Sequence, residues 1–124
     1  MYVGRVIGAL WASRKETTLT GMRMLMIRPL RARRDGGRDT LDESDQVIVA
    51  ADPIGAGVGE TVLVAMGRAA RSVLGSQDLG WQVAVVAIVD AMSLGDLPPV
   101  AFDPDGRLVD YDALPGGPTA GTTR

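Results

Sequence analysis

The 124-residue chain contains neither His nor Cys. That excludes thiolate nucleophiles, Ser-His triads, disulfide frameworks and nearly every zinc site, because each needs an imidazole or a thiol. Three clusters remain whose residue types and spacing could do chemistry. The first is Gly55-Ala56-Gly57-Val58-Gly59-Glu60, which follows a strand-like run. Closely spaced glycines let backbone N–H groups approach an anion, as in a phosphate cradle. The spacing is G-x-G-x-G, however, and lacks both G-x-G-x-x-G and the Lys-Ser/Thr of a Walker loop. Thr61-Val62-Leu63-Val64 then continues as strand and opens no helix that could hold a pyrophosphate. A tight loop between strands fits better, or a place where backbones from several subunits crowd together. The second cluster is Arg28, Arg31, Arg33, Arg34 and Arg38, which could neutralise nucleic-acid phosphates and release their counterions. No aromatic interleaves with these arginines, and Asp39, Asp42, Glu43 and Asp45 follow at once, so a solvated loop outweighs a nucleic-acid groove. The third cluster, Asp103, Asp105, Asp110 and Asp112, lacks the EF-hand spacing and its closing Glu. It reads as an acidic, solvated hairpin. No catalytic residue, metal ligand or cofactor is expected.

The elements that position these clusters are short strands. Residues 3–12 read as a first strand interrupted by Gly4 and Gly8, as in a strongly curved strand. Residues 22–28 read as a second, ended by Pro29, and the two make a hairpin across a longish polar loop. Residues 31–45 carry charges and glycines and read as a solvated loop. Further strands are expected over residues 46–51, 61–66 and 83–89, the last apolar throughout and so buried on both faces. Residues 67–74, alanine-containing and bounded by Gly67 and Gly75, read as one or two helical turns. Five short strands with one helical turn before the last suggest an all-β fold, a small five-stranded barrel of the oligonucleotide/oligosaccharide-binding (OB) type. Beyond Pro98-Pro99, Val100-Ala101-Phe102 and Leu108-Val109-Asp110-Tyr111 read as an added hairpin around Asp105-Gly106. The stretch 115–124 holds no core-forming side chain and is expected to be a disordered tail.

Charge is unevenly spread. Residues 1–38 carry nine basic groups against two acidic ones, while residues 39–124 carry four against thirteen, so halves of +7 and −9 make the net −2. Such halves suit complementary surfaces in an assembly. The longest apolar run, residues 83–89, is too short to span a membrane, and the first residues form no apolar leader, so the expected location is cytoplasmic.

Taken in order, Val3-Gly4-Arg5-Val6-Ile7-Gly8, Trp11-Ala12-Ser13-Arg14-Lys15, Leu19-Thr20-Gly21-Met22-Arg23-Met24-Leu25-Met26-Ile27-Arg28-Pro29-Leu30, the segment from Ala50-Ala51-Asp52-Pro53 through Gly55-Ala56-Gly57-Val58-Gly59-Glu60 to Val64, and Ile88-Val89-Asp90 resemble the bacterial microcompartment vertex proteins. These are the pentamer-forming shell subunits of carboxysomes and of ethanolamine- and propanediol-type compartments. The resemblance covers residues 1–91, with residues 92–114 as an extension and 115–124 as the tail. It departs at Gly67-Arg68-Ala69-Ala70-Arg71, where the family usually carries two serines after the glycine, and at Ala87, where it usually carries Gly. The resemblance implies a cyclic homopentamer capping the five-fold corners of a shell tiled by hexameric shell proteins, a structural protein rather than an enzyme. In such a ring the loop Gly55 to Glu60 is expected near the axis, shaping a narrow opening lined by backbone at Gly57 to Gly59. The alternative function is a single-strand nucleic-acid-binding barrel using the Arg28–Arg38 stretch.

Overall fold

The computed structural model describes residues 1–12, 21–75, 82–94, 100–102 and 108–110. Its elements are β1 (Tyr2–Leu10), β2 (Met24–Asp35), β3 (Arg38–Glu43), β4 (Ile48–Ala51), β5 (Thr61–Met66), α1 (Gly67–Val73), β6 (Val83–Ile88), β7 (Ala91–Met92), β8 (Val100–Phe102) and β9 (Leu108–Asp110). Strands β1, β5, β6, β4 and β2 pair in that order, and β2 pairs again with β1, so five strands close into a ring. All these pairings are antiparallel except β4 with β6. Closure leaves none of the five with an open edge along its whole length.

Period-two alternation sends one set of side chains inward. Val6, Leu25, Ile27, Ala50, Val62, Val64 and Val85 fill the interior, joined by Ala56 from the loop after β4. Beyond Val6 the register of β1 slips, since Val6 opposes Ile27 but Gly8 opposes Met26. Ile7 is the extra residue of that bulge, which lets Ala9 rejoin the interior cluster. Met24, Ala51, Ala65 and Ala84 point the other way and receive Ala70 of α1 on the outer face of the ring. Four small alanines let the helix backbone sit close to the sheet. Both faces of β6 are covered at Ala84 and Val85, but Ile88 at its end is exposed, so burial on both faces does not extend along the whole apolar run.

Two expectations need correction. Pro29 does not end the second strand, and residues 31–45 are not a loop. Strand β2 continues to Asp35 and pairs antiparallel with β3 in a hairpin. Pro29 is tolerated because it stands at a handover. Pairing of β2 with β4 stops at Ile27↔Ile48, and pairing with β3 begins at Leu30↔Glu43, so this side of Pro29 has no ladder bond for an N–H to make. The turn falls on Gly36 and Gly37, both left-handed at φ +57 and +81. That combination is the type I′ hairpin turn, which favours glycine at both central positions. The acidic run following the arginines is cross-strand complementarity. Arg31 opposes Asp42, Arg34 opposes Asp39 and Asp35 opposes Arg38.

After β6 the chain leaves the ring. Strands β7, β8 and β9 form a separate antiparallel sheet, with Phe102↔Leu108 as the last register pair of the expected hairpin. The turn at Asp105-Gly106, the polar loop 13–20 and the tail 115–124 lie outside the described residues.

Candidate functional site

The glycine loop joins β4 to β5 and is anchored at both ends. Asp52, its side chain wholly buried, holds the first end. Its Oδ1 accepts the N–H groups of Ile54 and Gly55, each at 3.0 Å, and its Oδ2 accepts Arg23 Nη1 at 3.0 Å. The same Arg23 Nη1 donates to the Ala56 carbonyl at 2.7 Å, while the Asp52 N–H donates to the Arg23 carbonyl at 2.8 Å. Ala56 is thereby pulled inward and completely buried. At the second end Glu60 folds back, and its Oε1 accepts the Gly57 N–H at 2.6 Å. The Gly59 N–H donates to the Val6 carbonyl at 2.8 Å and the Val6 N–H to the Glu60 carbonyl at 2.9 Å, tying the loop to β1. Gly55 and Gly59 adopt φ of +94 and +93, which a side chain would strain.

This hydrogen-bond ledger decides the chemistry. The N–H groups of Ile54, Gly55, Gly57 and Gly59 are all spent within the chain. The loop is not a waiting phosphate cradle, whose N–H groups must be free for the anion. What it presents outward is Pro53, Ile54, Gly55 and, most of all, Val58 at 63% exposure. It is a rigid, mostly apolar projection of backbone. Among the described residues no cluster of carboxylates could hold a metal ion.

The Arg28–Arg38 stretch lies along β2 and β3, and among the described residues Arg28 and Arg33 of this stretch enter ion pairs. Arg33 Nε pairs with Asp42 at 2.8 Å, Arg28 with Glu43 at 3.9 Å, and Arg5 from β1 also pairs with Glu43. A phosphate backbone running along the hairpin meets Asp42 and Glu43 beside these arginines, which weighs against an extended nucleic-acid groove there. Of the acidic quartet, Asp110 lies on β9; Asp103, Asp105 and Asp112 lie outside the described residues.

Sequence reasoning missed Asp52 and Arg23. Asp52-Pro53 carried a signal, since an Asp side chain commonly accepts the backbone N–H two residues on. Arg23 carried none: only folding brings β2 alongside the loop.

The comparisons agree with this architecture. Residues 1–90 match the family model described as Ethanolamine utilisation protein EutN/carboxysome. The chain is 41% identical over 93 residues to the carboxysome shell vertex protein CcmL of Thermosynechococcus vestitus, covering 75% of this chain and 87% of that protein. It is 39% identical over 93 residues to the microcompartment shell vertex protein PduN of Salmonella typhimurium, covering 75% and 99%. Among solved structures, the GrpN pentameric microcompartment shell protein from Rhodospirillum rubrum superposes with a TM-score of 0.63 at 32% identity, over 77% of this chain and all of that one.

Proposed function

Because the chain belongs to the EutN/carboxysome family, whose named relatives are shell vertex proteins, we propose that five copies close into a ring that caps a vertex of a bacterial microcompartment shell. The observation that carries this reading is the unbroken family match over residues 1–90, which includes every strand of the ring. Capping asks for shape and complementary edges, not for a nucleophile or a general base. Heterologous contact between unlike patches of neighbouring copies, with a rotation that closes, is the physics of such a ring. The exposed apolar residues Val47 and Val49, together with Ile54 on the loop, support it, since a lone subunit leaves them in water. Residues 1–91 make the ring-forming unit, 92–114 an appended hairpin and 115–124 a tail. The hexameric shell proteins of the same compartment are the surrounding partners, inside a cytoplasmic shell.

Within this ring the loop Gly55 to Glu60 is the axial element. Side-chain volume near an axis is repeated in every subunit, so a loop of glycines closed by internal hydrogen bonds suits that place. The Glu60 side chain is held in this loop, with its Oε1 turned back onto the Gly57 N–H. Light scattering tests the ring. A species at five times 13.0 kDa is expected, and a monomer at micromolar concentration contradicts it.

A further inference from the structure

Among the described residues three buried side-chain polar atoms lack a hydrogen-bond partner: Arg5 Nε, Arg28 Nε and Thr61 Oγ1. They are not scattered. Arg5 lies directly opposite Arg28 across β1 and β2, and directly opposite Thr61 across β1 and β5. Opposed residues of neighbouring strands project to the same face of a sheet. The three therefore form one cross-strand row. Their chain neighbours Val6, Ile27 and Val62 all point into the core, so the row faces outward.

The row is positively charged and incompletely satisfied. Like charges directly opposite one another in a sheet repel, and here two guanidinium groups share a single carboxylate. Glu43 accepts Arg5 Nη2 on Oε1, and its Oε2 stands 3.9 Å from Arg28 Nη1. Asp45 and Asp90, the acids that follow Glu43 and the Thr61-bonded Val89 in the chain, are exposed and enter no ion pair among the described residues. Thr61 is only 2% exposed, and a hydroxyl shut away from both water and protein partners destabilises the free chain. Both arginines remain about a third exposed, at 33% and 36%, so the row can be reached from outside.

We propose that the row Arg28–Arg5–Thr61 is a binding site for one oxyanion, a carboxylate or a phosphate. The anion brings the second negative charge that Glu43 alone does not supply. It accepts hydrogen bonds from the guanidinium forks, which match planar or tetrahedral oxyanions in two-point contacts, and from the Thr61 hydroxyl. Its source is either free solute or an acidic side chain of an adjoining copy of the chain, and the chemistry of the two is the same. The row itself stands on the single chain's own geometry; only the second source rests on the proposed assembly.

The test titrates inorganic phosphate and acetate into the full chain by calorimetry, with ionic strength held constant by chloride. Arg5→Gln, Thr61→Val and, as a control on the exposed arm of the hairpin, Arg34→Gln are compared with the unmodified protein. A free anion gives saturable binding that weakens about tenfold or more in Arg5→Gln, as expected for loss of a charge-assisted bond. It weakens also in Thr61→Val and is unchanged in Arg34→Gln. A neighbour's carboxylate gives no saturable binding of added anion. Instead Arg5→Gln raises the concentration at which the assembled species dissociates about tenfold, and Arg5→Lys restores part of it. Thr61→Val exchanges a hydroxyl for a methyl within a β-branched frame, so it keeps the test open where an arginine variant fails to fold. No anion binding together with unchanged assembly in Arg5→Gln and Thr61→Val overturns the proposal, as does an equal loss in Arg34→Gln.

Discussion

Replacing Asp52 by Ala removes the anchor of the loop, and the size of the effect follows from what each oxygen holds. Oδ2 binds Arg23, whose side chain is 48% exposed; a bond to so solvated a cation contributes about 0.2–1 kcal/mol. Oδ1 holds the N–H groups of Ile54 and Gly55. Bonds to an ionised acceptor contribute about 1.5–3 kcal/mol each, and these fall at the low end because both residues are exposed and their N–H groups regain water. Their combined loss lowers stability by about 3 kcal/mol. With a urea m-value of about 1.5 kcal/mol/M, the unfolding midpoint drops by about 2 M. Asp52→Asn keeps a carbonyl oxygen for the two backbone donors but turns an amide NH2 toward Arg23 in place of Oδ2, so it loses the charge and the Arg23 bond, and its drop is about a third as large. The assay is urea denaturation followed by circular dichroism at one fixed protein concentration, since an assembling chain gains stability by mass action. A change below about 1 kcal/mol for Asp52→Ala, or equal losses for Ala and Asn, refutes the reasoning.

Gly4→Ala places a Cβ 2.5 Å from Ile27 Cγ2 and 3.1 Å from the Arg28 carbonyl oxygen; the clash destabilises by about 2 kcal/mol, read as a lowered thermal midpoint. Gly37→Ala, at φ +81, strains the hairpin turn by about 1 kcal/mol. Hydrogen exchange then speeds at the β3 amides while those of β5 and β6 keep their protection. Val58→Gln falls on a side chain 63% exposed and shifts the urea midpoint by less than the equivalent of about 0.5 kcal/mol.

The five ring strands and the helix were legible because each has a period and a boundary. Residues 61–66 and 83–89 are largely apolar runs closed by Gly67 and Asp90, and Gly67 and Gly75 bracket the helix. The hairpin was not, for a physical reason. Propensity and hydropathy average over a window, and residues 31–43 are polar on nearly every side; what makes them strand is register. Arg31 meets Asp42 and Arg34 meets Asp39 only when folded about Gly36-Gly37. That mirror symmetry of charge about Asp35-Gly36-Gly37-Arg38 stands in the sequence, but a window average does not register it, and the stretch reads as a loop. Pro29 misled because a proline ends a strand only where its missing N–H is needed, and here the pairing changes partner at that residue. The loop's glycines announced special backbone. Its anchors did not announce themselves, since Arg23 and Asp52 lie 29 residues apart and meet through the β2–β4 pairing. The row Arg28–Arg5–Thr61 is equally a product of two registers.

The most direct test of the account is a density map of the assembled protein from single-particle electron microscopy. The expected result is a closed five-fold ring with Gly57, Val58 and Gly59 of every subunit gathered around the axis and Val47 and Val49 covered by a neighbouring copy. A map without five-fold symmetry, or one that sets the Gly55–Glu60 loop on the outer rim, contradicts it.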